Sequence, residues 1–152
     1  MYGAFEFDDS FVVITEYIGG VAMSSLSEDE KQVVHMEIKQ DLATLQGIKS
    51  NTIGGPSGII IPPYRVMRHA GNDGWTTKTS DEKEYVFCHN DLSQHNIIVD
   101  PQSLKIRAII DWEYAGFYQK EFKGAYYRSP GPSVALDGEY DDAVKLFEFI
   151  KS

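Results

Sequence analysis

The stretch Tyr85–Asp100, YVFCHNDLSQHNIIVD, constrains the fold more than any other part of this 152-residue chain. Its apolar runs Tyr85–Cys88 and Ile97–Val99 read as short strands. Between them stand two histidines, an aspartate and two asparagines, more polar groups than a turn requires. Asp100–Pro101–Gln102–Ser103 is a turn signal, and Ile106–Ile110 beyond it completes a β-hairpin. Asp111, Trp112 and Glu113 follow at once.

A hairpin returns the chain to its starting end. Asn96 begins the first strand and Asp111 ends the second, so their side chains are expected to meet, with Asp91 beside them. Two carboxylates and an amide oxygen are hard ligands suited to Mg²⁺, which also binds substrate phosphates. Asp91 is then left to accept a proton from a hydroxyl. The plainer reading makes Asp91 and Asn96 turn formers and Asp111 a strand terminator. His95 with His89, Asp91 and Asp111 suggests a metal hydrolase; against it stands the plainer view of His95 as a solvent-facing loop residue.

The rest of the sequence reads as an α+β domain. Tyr2–Phe7 and Phe11–Tyr17 form a hairpin across Asp8–Asp9–Ser10, with the β-branched run Phe11–Gly20 expected to be buried. Ser25–Ile48 is the strongest helix signal. Ser27 and Glu30 make a capping box, and Glu28, Asp29 and Glu30 complement the helix dipole. Val34, Ile38, Leu42 and Leu45 form its apolar stripe, with Val33 and Met36 alongside, His35 on the surface and Gly47 as the stop. Residues 51–80, rich in glycine and proline, read as a long functional loop or one holding short elements, with IIIPPY docking on the core. Trp75 is a packing anchor or, less simply, a site wall. YAGFYQKEFKGAYYRSPG reads as irregular. Residues 139–150 should close the chain as a short helix, with Val144, Phe147 and Ile150 at helical spacing. Asp137, Glu139, Asp141 and Asp142 read as a solvated face, the alternative being a surface for a cationic acceptor such as an amino sugar or choline-like amine.

Composition narrows the function classes. A net charge of −9 and a pI near 4.8 argue against nucleic acid and anionic membranes as partners. Cys88 is the only cysteine, so no internal disulfide can form, and its apolar neighbours make it a buried structural thiol. No segment approaches the roughly 18 apolar residues of a membrane span, and the acidic start MYGAFEFDD is no signal peptide. These features point to a cytoplasmic protein.

The series His89-Asn90-Asp91-Leu-Ser-Gln-His95-Asn96, followed by an apolar hairpin and Ile110-Asp111-Trp112-Glu113, resembles the aminoglycoside phosphotransferase and choline kinase family, in particular the fungal members known only as phosphotransferase enzyme family. ITEYIGG (14–20) resembles that family's hinge strand, and DLATLQGI the end of the long helix before its catalytic loop, so the resemblance covers most of residues 2–128. It implies a protein-kinase-like C-lobe over 21–152, with hinge strand, long helix and catalytic-loop hairpin, and a remnant of N-lobe strands and hinge over 1–20.

The same resemblance implies ATP-dependent phosphorylation of a small-molecule hydroxyl. Asp91 matches the catalytic base, His89 the histidine that braces the loop, Asn96 and Asp111 the Mg²⁺ ligands, and Glu16, Tyr17 and Ile18 the adenine-contacting hinge. Asn90 stands where the family often has glycine, and asparagine tolerates the left-handed backbone. Ser93, Gln94 and His95 replace a His-Pro-Arg trio. The family's nucleotide-covering loop and strand lysine have no counterpart before the hinge, which implies weak turnover, a tendency to self-associate through uncovered apolar surface and, as the alternative, an inactive lobe that binds a ligand or partner.

Overall fold

The computed structural model describes residues 1–69, 75–120 and 124–151. Among them β1 (Gly3–Phe7) and β2 (Ser10–Ile14) form a two-stranded antiparallel ribbon. Asp8 and Asp9 close it with positive φ angles of 49° and 59°, a two-residue turn whose twist suits the strands it joins. The expectation that Phe11–Gly20 is buried is corrected: Phe5, Phe7, Phe11, Val13 and Ile14 are all exposed. A β-branched run fits a pleated surface whether or not a second layer covers it.

β3 (Val21–Ala22) pairs with β6 (Ile97–Val99), and β6 with β7 (Ile106–Ile109), all antiparallel. Asp100 turns the β6–β7 hairpin, its carboxylate accepting the amides of Gln102 and Ser103 at 3.0 Å each. Those bonds, Ser103 first, hold its carboxyl below the usual range. A third sheet runs β4 (Lys49–Ser50), β5 (Tyr85–Cys88), β8 (Gly116–Tyr118). β8 lies in the segment expected to be irregular. It pairs with β5 and passes close to the backbone at Gly54: a Cβ on Gly116 would stand 2.8 Å from the Gly54 carbonyl oxygen.

α1 (Glu28–Gln46) carries the expected capping box between Ser27 and Glu30. Val34 and Ile38 are fully buried, with Leu42 packed beside them. Val33 and Met36 are exposed, because they lie about 100° or more round the helix from Val34. His35 is not a free surface residue either. It is half-buried, its ring edge-on to Tyr127 at 5.4 Å. Gly47 caps the helix in right-handed geometry.

The loop over 51–80 contains short elements: bridges from Thr52 to Thr79 and Gly54 to Phe117, then α2 (Tyr64–Met67). Ile53, Ile60, Pro62 and Pro63 are buried, while Ile59 and Ile61 are exposed. The reading of Gly71 and Gly74 lies outside the described residues. Trp75 packs edge-on to Phe147 at 6.2 Å, as an anchor. α3 (Ala143–Lys151) buries Ala143, Leu146 and Ile150 and exposes Val144.

Among the described residues two apolar clusters result. One joins Ile53, Val66, Tyr85, Val86, Cys88, Tyr118, Leu146 and Ile150; the other joins Met23, Val34, Ile38, Leu92, Ile97, Val99 and Tyr127. The arrangement is α+β. No described helix is long and apolar enough to cross a membrane.

Candidate active site

β5 delivers the chain to His89, and the loop 89–96 returns it to β6. Cys88, at the end of β5, is buried as expected. Within the hairpin Ile97 faces Ile109, so Asn96 and Ile110 are the next pair. The Ile110 amide donates to the Asn96 carbonyl at 2.9 Å, and Asp111 follows in the left-handed region at φ 67°. The hairpin thus brings the backbone of Asp111 back to the loop.

Asn96 also reaches into the loop. Its Nδ2 donates to the Asp91 carbonyl at 2.7 Å and to Asp91 Oδ2 at 3.2 Å. Two oxygens facing one atom identify it as the amide nitrogen, so Oδ1 is the atom turned away from Asp91.

His89 ties the start of the loop to the end of the hairpin. The Asp91 amide donates to its Nδ1 at 3.2 Å, and its Nε2 lies 2.9 Å from the Ile110 carbonyl. With Nδ1 accepting, Nε2 carries the proton and donates. Burial pushes the imidazole below its ordinary pKa, outweighing the opposing pull of Ile110, Asp91 and Asp111. A neutral ring with both nitrogens engaged is a brace. Trp112 covers it at 4.5 Å and donates its indole N–H to Ile109 at 2.7 Å.

Asp91 and Asp111 act on the same neighbours. Tyr114, whose phenol is raised chiefly by burial and then by Glu113, also feels both carboxylates. Asp91 and Asn96 line a cavity of about 200 Å³ with Tyr64, Glu113, Tyr114 and Ser133. Asp111 is exposed and outside that wall. Glu16 and Tyr17 are exposed, Tyr17 at 87%; neither they nor Ile18 line this cavity or the 230 Å³ one behind the loop.

The cluster that the metal-hydrolase alternative needs does not form: among the described residues no three His, Cys, Asp or Glu side chains gather as a metal site. His89 is spent on Asp91 and Ile110, and His95, exposed as the plainer reading had it, pairs Nδ1 with Ser24 Oγ at 3.1 Å. The oxygens that could hold a hard cation instead are Asn96 Oδ1 and the exposed Asp111 carboxylate.

The sequence reading missed a buried group beneath the loop. Arg65 forks onto Asp142, Nε to Oδ1 at 2.7 Å and Nη2 to Oδ2 at 3.0 Å, and Nη1 donates to the Asn90 carbonyl at 2.8 Å. Asp142 is therefore buried and paired, which corrects its placement on a solvated face; Asp137, Glu139 and Asp141 do lie exposed. Its only sequence signal was a charge at the edge of a helix.

Residues 64–127 match the family model described as choline/ethanolamine kinase. The match takes in Arg65, β5, the loop, the β6–β7 hairpin, Asp111 and β8, less than half the chain. No curated protein and no solved structure matches. A choline kinase domain match supports a kinase-like, phosphotransferase type of function.

Proposed function

We propose that this chain is a protein-kinase-like C-lobe, preceded over residues 1–20 by N-lobe strands and hinge, that transfers the terminal phosphoryl group of ATP to a hydroxyl of a small molecule in the cytoplasm. The observation that carries the reading is the contact of Asn96 with Asp91, made where the Ile110–Asn96 pairing also delivers Asp111.

Asp91, half-exposed on the cavity wall, accepts the hydroxyl proton and aims the oxygen. Asn96 Oδ1 and Asp111 would hold Mg²⁺, which when bound supplies charge against the phosphates. Asn96 does two jobs, because the amide that offers Oδ1 outward also fixes Asp91. His89, neutral and doubly bonded, keeps the loop and hairpin in register. Glu16, Tyr17 and Ile18 would meet the adenine through backbone groups. Such a site works by positioning and by cancelling charge on the moving group.

A second reading, binding without turnover, draws on the exposure of Tyr17 at the proposed adenine contact. One experiment separates them: Mg·ATP binding and phosphate transfer to a panel of small alcohols, measured together on the chain and on Asp91→Asn. Transfer that Asp91→Asn abolishes while binding persists supports catalysis. Binding with no transfer supports the second reading, and neither binding nor transfer sinks both.

A further inference from the structure

The peptide unit between Asn90 and Asp91 is held at both of its polar atoms. Its oxygen accepts from Arg65 Nη1 at 2.8 Å, and its N–H donates to His89 Nδ1 at 3.2 Å. Asn90 itself sits at φ 68°, a conformation that an L residue enters only when its surroundings demand it. Its side chain is pinned too, Nδ2 donating to the Tyr114 carbonyl at 2.9 Å.

Arg65 is in turn held by Asp142 and by Tyr126. Asp142 takes two of its donors in a planar fork, the Tyr126 hydroxyl donates to Asp142 Oδ1 at 2.8 Å, and the Tyr126 ring lies 4.5 Å beneath the guanidinium. Arg65 and Asp142 are each 3% exposed. A buried ion pair adds little net stability over well-packed apolar residues. What an apolar replacement could not supply is the third donor, aimed at the carbonyl next to Asp91.

We propose that Arg65 is a positioning residue that sets the orientation of the Asn90–Asp91 peptide, and through it the Asp91 carboxylate, with Asp142 and Tyr126 as its own supports. The helix α3 thereby becomes part of the site, since Asp142 leads into it and its carbonyl accepts the Leu146 amide at 2.9 Å. The catalytic consequence rests on the phosphotransferase reading; the effect on the peptide does not.

The test is a double variant, Arg65→Met with Asp142→Leu, which removes the pair without stranding a charge, backed by Arg65→Lys, which keeps the charge and loses the fork. Amide hydrogen exchange is followed at Asp91 and, as an internal control, at Val86 and Phe87 of β5. The Asp91 amide is expected to exchange about tenfold faster or more while the β5 amides hold their rates. In any variant that turns over Mg·ATP, kcat should fall about tenfold with KM for ATP unchanged. Should the double variant not fold, Arg65→Lys gives the same reading. Asp91 exchange within twofold of the native rate in the folded variant overturns the proposal. A native chain that never turns over ATP refutes the phosphotransferase reading, while the exchange result still decides the role of Arg65.

Discussion

The side-chain amide of Asn96 grips Asp91 twice, at its carbonyl and at its carboxylate, from 2.7 and 3.2 Å. One residue thereby orients the proposed base and leaves an oxygen for the proposed cation. Removing it should be felt in both places. Asn96→Ala is expected to lower stability by only about 1 kcal/mol, the net worth of a typical hydrogen bond. Affinity for Mg·ATP should fall at least about tenfold, as for lost metal-site partners. Urea denaturation and calorimetric titration measure the two. Equal affinity in the variant would remove Asn96 from the site.

Acid should destabilise the fold in a defined window. Burial pushes His35 and His89 below their ordinary pKa of 6.5. The unfolded chain therefore binds protons near pH 6.5 that the folded chain refuses until lower pH, so stability is full above that value and declines as pH falls through and below it. Urea midpoints taken from pH 7.5 down to about 5.5, above the carboxylate range, should drop steadily. His35→Gln should flatten part of the slope, and a midpoint that stays level or rises on acidification would contradict the assignment.

Gly116 has no room for a side chain. A Cβ there would meet the Gly54 carbonyl oxygen at 2.8 Å and its carbon at 2.9 Å, where Gly54 and Phe117 exchange backbone hydrogen bonds of 3.0 and 2.8 Å. Backbone cannot yield as a flexible side chain does. Gly116→Ala should cost about 1–3 kcal/mol, the usual penalty for overpacking. An unchanged denaturation midpoint would show that β8 does not depend on this close approach.

What the sequence revealed was local, and what it hid was not. The β6–β7 hairpin and the Ser27–Glu30 box each depend on residues a few positions apart, so their patterns could be read directly. The pairing of Ile110 with Asn96, which returns the Asp111 backbone to the loop, followed from hairpin geometry alone. Burial needed distant partners. The ribbon β1–β2 has the residues of a covered strand pair and stands exposed. Asp142 has the neighbours of a solvated helix end and is buried by Arg65, 77 positions away. β8 offers three residues, too short for a period, and exists because β5 and Gly54 receive it. The proposed adenine contacts at Glu16, Tyr17 and Ile18 depended on resemblance alone, which carried no information about what surrounds them.

The most direct measurement is calorimetric titration of the chain with ATP, in Mg²⁺ and again with the ion chelated, alongside Asp111→Ala. The account predicts binding that needs Mg²⁺ in the native chain and is lost in the variant, with both proteins folded by circular dichroism. Binding that ignores Mg²⁺, or that survives intact without the Asp111 carboxylate, would contradict it.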